Sequence, residues 1–467
     1  MSAKGTTAET PSAQIRLCLW LIYYFTLSDT GLKFFPLNVA LPLRYLPEAV
    51  LYFFVFVLLI KKWRIASFPL FWPLCACALT MTISGILNSS SMLGVIADFR
   101  IFFRFAAFTY IGWRTTVTPQ RIIQFIKGFL GLTMIELAVG VLEIIGGSGT
   151  RAFFSPALGW SSGTPLVVDQ STPDSGSWLF GTLSDYNQFG MFMTMSCLLA
   201  LALYFMEGAA RHLWLASASA LAVVLSFSRH SLLLLALALG SILFLRRRDI
   251  ALARLIRGFA LAFVLLVALT GFNRGFDAAF EDRVATMTSL DQLESDRPEN
   301  MRLLMTMELT PRFLSAYPLF GQGPIAPSDT VGFGETDTAL GPPLKAAPDL
   351  PPQATFYLGD VVWVMVLGLY GCLGLAAFAY VFWSIAAAAN KVRKKESTPA
   401  GVILAQACLV TIILFVVSGF FSEEMIARDS IPVFWTLAGM VFSLAIKSSS
   451  NNHEVRDQAI IATGIIP

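Results

Sequence analysis

The feature that most constrains this chain is a succession of long apolar stretches, near residues 17–35, 43–60, 68–87, 92–113, 122–145, 187–206, 213–227, 231–245, 257–272, 360–386, 401–421 and 431–446. Most approach the ~20 apolar residues that an α-helix needs to cross a hydrocarbon core of ~30 Å. The runs are continuous, whereas a membrane β-barrel strand alternates at every second residue, so a barrel is excluded. The reading is an all-α, polytopic membrane helical bundle of about 12 transmembrane helices. Composition agrees: of 467 residues, 56% are hydrophobic and 13% charged. Soluble domains run at roughly 45–50% and about 25%, so an ordinary soluble enzyme, a disordered chain and a disulfide scaffold are excluded.

The scarce charges orient the bundle. With 33 basic and 30 acidic residues, the net +3 implies neither nucleic acid nor a strongly acidic partner. Basic clusters at Lys61, Lys62 and Arg64, at Arg114 and Arg121, at Arg211, at Arg246 to Arg248, and at Lys391 to Lys395 all fall on one side if the stretches alternate across the membrane. That side is the cytoplasm by the positive-inside rule, and both termini lie there. The polar segment from Met1 to Arg16 lacks a small-residue cleavage site after the first apolar run and is expected to remain as a cytoplasmic tail.

Three segments follow: nine helices in 1–272, a large outward loop with short helices in 273–359, and three helices with a cytoplasmic tail in 360–467. Within the loop, Asp296 as a cap, Pro298 in the first turn, and Met301, Leu304, Met305 and Leu309 at helical spacing predict a helix ending at Pro311. From Gly321 to Pro352 the Gly and Pro density predicts an irregular cover. An earlier outward connection, 146–186, is rich in Gly, Ser and Pro. No internal repeat suggests an inverted-repeat transporter.

Residues 213–245 require a choice. One helix of that length would be ~50 Å long and would place Arg211 and the Arg246 cluster on opposite sides of the membrane. Two short helices, turning at Ser226-Phe227-Ser228-Arg229-His230-Ser231, keep both inside and draw the turn below the outer surface. Arg229 then lies at the floor of an outward-opening cavity, a costly place for a cation without a function. His230 beside it either lines the same cavity or is structural.

Arg100 and Arg104 lie four apart and share a helical face. With no acid at the matching spacing they read either as an anion site or as arginines snorkelling to the outer interface. Arg44 and Glu48, also four apart but of opposite sign, read as a self-neutralising pair. By spacing alone Arg302 is a solvated loop arginine, and Asp360 a favourable charge at a helix N-terminus. Gly371 and Gly374, one turn apart, permit close approach of a neighbouring backbone.

No phosphate-binding GxxxxGK[ST] loop, DxD pair, HExxH or CxxC occurs. The six cysteines fall in apolar segments and read as small core residues, and no metal site or cofactor is expected. Phosphate chemistry here would rest on arginine.

The whole pattern resembles the O-antigen ligase and polymerase superfamily, membrane glycosyltransferases that use polyprenyl-diphosphate-linked glycans. "SFSRHSLLLLALALG" looks like the family's Ser-Arg turn, with Arg229 as the matching arginine. "MRLLMTMELTPRFLSAYPLFGQGP" resembles its Arg, helix, Pro-Leu-Phe-Gly-x-Gly segment, with Arg302 matching, and "GTLSDYNQFGMFM" is similar to the stretch entering the span after the earlier periplasmic loop. The family's ligases carry a histidine eleven residues before a Gly-x-x-Gly that aligns with Gly371 and Gly374; Asp360 followed by Val361 stands in its place.

The resemblance implies a membrane glycosyltransferase C type fold in a bacterial inner membrane, with the large loop and active site on the periplasmic side. It implies an inverting, metal-independent transfer from a polyprenyl-diphosphate-linked glycan donor to a glycan acceptor within the lipid bilayer. The missing histidine points to a polymerase of O-antigen or exopolysaccharide repeat units, with a chain-length regulator as a further expected partner. A ligase acting on lipid A core, or a transporter of lipid-linked glycan, are the alternatives. Arg229, Arg302 and Asp360 are the implied catalytic residues. Arg100, Arg104 and His230 are the implied substrate-binding ones.

Overall fold

A computed structural model of the chain describes residues 12–61, 67–88, 90, 92–115, 117–155, 157–161, 164–167, 179–183, 186–226, 228–246, 298–324, 361–396, 398–420 and 431–463. Among these the chain is helical apart from one short hairpin. The helices are α1 (Ala13–Leu32), α2 (Leu37–Lys61), α3 (Phe71–Leu87), α4 (Met92–Arg114), α5 (Pro119–Phe154), α6 (Tyr186–Glu207), α7 (Ala210–Leu225) and α8 (Arg229–Arg246). After them come α9 (Pro298–Ala316), α10 (Val362–Lys395), α11 (Pro399–Ser418) and α12 (Ile431–Thr463). Every predicted apolar stretch that falls among the described residues is helical; 257–272 lies outside them.

Local chemistry explains the ends. Ser12, Thr118 and Thr398 cap α1, α5 and α11, accepting from the backbone N–H of Ile15, Arg121 and Gly401. Pro119 and Pro399 occupy first-turn positions, where the missing N–H costs nothing. In the connection after α5, β1 (Ala157–Ser161) and β2 (Thr164–Val167) pair antiparallel, a hairpin that the Gly, Ser and Pro content did not predict.

Among the described residues, five helices are long and apolar enough to cross a membrane: α2, the Pro119–Gly147 part of α5, α6, α10 and α11. Shorter apolar helices include α3, α7, and the Ile431–Lys447 part of α12. The burial pattern is that of a protein solvated by lipid. α6 is buried on all sides from Gln188 to Leu203 and forms the centre of the bundle. The peripheral α2 turns Phe53, Phe56 and Ile60 outward, each more than half exposed. A contiguous outer surface of this kind is unfavourable in water and neutral in hydrocarbon. Aromatic contacts knit the interior, with Phe105 stacked on Trp435 at 5.6 Å and Phe129 against Phe192 at 5.2 Å. Of the cysteines, Cys18, Cys77, Cys197 and Cys408 are buried as expected, whereas Cys75 and Cys372 are exposed.

Two boundaries differ from the sequence reading. α9 continues through Pro311 to Ala316. Leu309 and Phe313, one turn apart, are both buried, and Phe313 lies against Gly368 of α10, so packing outweighs the hydrogen bond lost at proline. α10 begins at Val362, with Val361 at its N-cap and no side-chain cap; Asp360 lies outside the described residues.

Candidate functional site

Three buried polar arrangements fix the backbones that carry the candidate residues. The first is a break in α10. Gly371 has φ +68° and ψ −169°, a conformation that favours glycine, and it interrupts the helix in mid-course. Such a break frees backbone groups, which must find partners where water is scarce. They find them in Pro318-Leu319-Phe320-Gly321-Gln322-Gly323, the segment that follows α9. Gln322 and Gly323 N–H donate to the carbonyls of Gly368 (2.8 Å) and Leu369 (3.1 Å), while Cys372 and Leu373 N–H donate to Pro318 (2.9 Å) and Leu319 (3.2 Å). The approach is closest where both strands have glycine: a Cβ on Gly321 would collide with the Leu369 backbone, and one on Gly371 with that of Leu319.

α3 closes the joint. Ser84 Oγ donates to the Leu369 carbonyl at 2.6 Å, and Asn88 Nδ2 donates to the carbonyls of Ser84 (2.8 Å) and Gly321 (3.0 Å). The close backbone approach expected at the Gly-x-x-Gly is thus real, and its partner is the loop segment rather than another membrane helix. The C-terminal end of α9 is anchored to a membrane helix by this joint, and Arg302 lies about four turns away, toward its other end.

The second arrangement holds the Ser-Arg turn. α7 ends at Leu225 and α8 starts at Arg229, so the apolar run 213–245 is two helices, as its length required. Ser228 caps α8: its Oγ accepts from Ser231 N–H (3.1 Å), and its carbonyl accepts from Leu232 N–H (3.0 Å). The same hydroxyl donates to Asn187 Oδ1 at 2.7 Å, and Ser231 Oγ donates to the Asn187 carbonyl at 3.3 Å. Ser226, Ser228 and Ser231 are fully buried. One turn further along α6, a Cβ on Gly190 would collide with Ser231 Oγ, so the two helices touch there. Arg229 and the half-buried His230 occupy the first two positions of α8, and for Arg229 and Arg302 the structure describes the backbone.

The third arrangement corrects an expected pairing. Arg44 reaches Asp29 of α1 at 3.5 Å, not Glu48. Glu48 is taken by α4: Arg104 NH1 meets Oε1 at 3.0 Å and Arg100 Nε meets Oε2 at 3.4 Å. Two cations on one face of α4 converge on one buried carboxylate, which offers Glu48 more than a single pair within its own helix could. Arg104 is 2% exposed and does not snorkel, whereas Arg100 is 25% exposed and lies over the Tyr45 ring at 5.3 Å. The trio carries a formal net charge of +1, and Arg100 is the more exposed of its two arginines.

A further pair of acids escaped the sequence reading. Glu136 and Glu143, seven apart on α5, are both fully buried. Glu143 Oε2 accepts from Phe180 (3.2 Å) and Gly181 N–H (3.1 Å), and Glu136 accepts from Thr182 N–H (2.9 Å) and from the Thr182 hydroxyl. They clamp residues 179–183, just ahead of α6. Two acids in an apolar helix at a spacing of two turns were the available signal.

Comparison with known families finds a match to the family described as O-antigen ligase over residues 214–350, a segment that runs from α7 past α9 and takes in the Gly321 side of the glycine joint but not the Gly371 side. It contains Arg229 and Arg302, and lies outside Arg100, Arg104 and Asp360. No curated protein matches the chain.

Proposed function

We propose, from the chain's membership of the O-antigen ligase/polymerase superfamily, that it polymerises polyprenyl-diphosphate-linked O-antigen or exopolysaccharide repeat units on the periplasmic face of a bacterial inner membrane. The supporting observation is the break between α7 and α8. It puts Arg229 at the start of an apolar helix, inside the matched segment, on a backbone held by buried serines.

The barrier in such a transfer is departure of diphosphate from the anomeric carbon. An acceptor hydroxyl attacks that carbon from the opposite face, the bond to the diphosphate oxygen breaks with its electron pair, and the configuration inverts. Fixed cations beside the leaving oxygens stabilise the charge that develops. Arginine suits the task, being always protonated and able to bind phosphate oxygens in a bidentate fork. In this reading Arg229 and Arg302 hold the diphosphate, Arg100 and His230 contact substrate at the rim, Arg104 neutralises Glu48 so that Arg100 faces outward, and Asp360 takes the proton of the acceptor hydroxyl.

The bundle of about 12 spans, the glycosyltransferase C type fold and the periplasmic loop over 273–359 belong to this proposal. A ligase is the second reading, favoured by the description of the matching family; polymerase is favoured by Asp360 where ligases carry histidine. Deleting the gene distinguishes them. A polymerase deletion leaves glycans of a single repeat on the acceptor, and a ligase deletion leaves lipid-linked polymer unattached. Unchanged surface glycan in the deletion strain would reject both.

A further inference from the structure

The geometry points to Asn187 and Ser228 as positioning residues that set where Arg229 stands, an inference that rests on the assignment of Arg229 above. Ser228 is the residue before Arg229, and its hydroxyl serves two partners at once. It caps α8 by accepting from Ser231 N–H at 3.1 Å and donates to Asn187 Oδ1 at 2.7 Å. Asn187 returns a second link through its carbonyl, which accepts from Ser231 Oγ at 3.3 Å. Ser226 Oγ, itself donating to the Val223 carbonyl at 2.7 Å, accepts from Ser228 N–H at 3.4 Å. The turn is therefore tied on one side to α7 and on the other to α6, the helix buried on all sides from Gln188 to Leu203.

Such an arrangement exceeds what capping a helix requires. A serine N-cap needs only its own N–H acceptor bond, and a cap open to water would do as well. Here all three serines are fully buried, and Gly190 leaves no room between α6 and Ser231. The start of α8 therefore has one permitted position relative to α6. A cation that must meet a developing charge gains from such a fixed base, since a misplacement of about 1 Å can cost about 100-fold in rate. The stretch 179–183, ahead of α6 in the chain, is held to α5 by Glu136 and Glu143.

The test is a double-mutant cycle on the full-length protein in lipid nanodiscs, read as the Kd for undecaprenyl diphosphate, with thermal unfolding followed alongside. Ser228→Ala and Asn187→Leu should each weaken binding by about tenfold while Arg229 is present, and Ser228→Thr, which keeps the hydroxyl, should restore it. In an Arg229→Ala background, Ser228→Ala should weaken binding no further. Equal losses from Ser228→Ala with and without Arg229 would overturn the inference, as would wild-type affinity in Ser228→Ala. Gly190→Ala, whose Cβ meets Ser231 Oγ and so displaces α8 while leaving the Ser228 and Asn187 side chains intact, should reproduce the Ser228→Ala loss, and wild-type affinity in it also counts against the inference. If Arg229→Ala itself binds the probe as wild type does, the assignment of Arg229 falls, not the coupling.

Discussion

Arg104 NH1 lies 3.0 Å from Glu48 Oε1, and both side chains are almost completely withdrawn from the surface. A pair of this kind adds little compared with apolar residues of the same shape, yet removing one member strands the other charge. Glu48→Ala should destabilise the protein by about 3–5 kcal/mol, measured as unfolding in detergent. Arg100→Ala, at the more exposed position, should cost less than about 1 kcal/mol. Comparable losses from the two would contradict the division of roles between the arginines.

The glycine joint makes a second prediction. Gly371→Ala puts a residue with a Cβ into an essentially glycine-only backbone region, at about 1–3 kcal/mol, and drives that Cβ into Leu319. Displacing the loop also loses backbone hydrogen bonds worth about 1 kcal/mol each. A loss of about 3 kcal/mol or more, with glycan synthesis abolished, is expected. Gly240→Ala on α8, which meets open space, should instead be neutral or stabilise by up to about 1 kcal/mol.

A third prediction concerns the clamp on residues 179–183. Glu143→Ala removes the acceptor of two buried backbone N–H groups. Each unsatisfied group costs about 1–3 kcal/mol. Limited proteolysis should then cut near Phe180, where the wild type resists. Equal resistance in both would mean that the clamp does not hold the segment.

What the sequence revealed followed from local chemistry. Apolar runs of membrane length located every helix that the structure describes in them, and the length of 213–245 forced the break at Ser226 to Ser228. The Gly-x-x-Gly signalled a close approach at Gly371. What stayed hidden depends on contacts between distant segments. Glu48 and Arg104 are brought together by the packing of α2 on α4, and nothing within either stretch announces it. Asn187 and Ser228 are 41 positions apart, and neither is unusual in its own stretch of sequence. α9 passed through Pro311 because Phe313 had a pocket against Gly368, a fact of α10 and not of α9.

The proposed roles of Arg229 and Arg302 are read from the glycan length distribution made by Arg229→Ala and Arg302→Ala in a strain lacking the chromosomal copy, with membrane levels of each protein matched to wild type. If the two arginines carry the transfer, both variants accumulate normally and elongate nothing, leaving single-repeat product. A wild-type length distribution in either would remove that arginine from the mechanism.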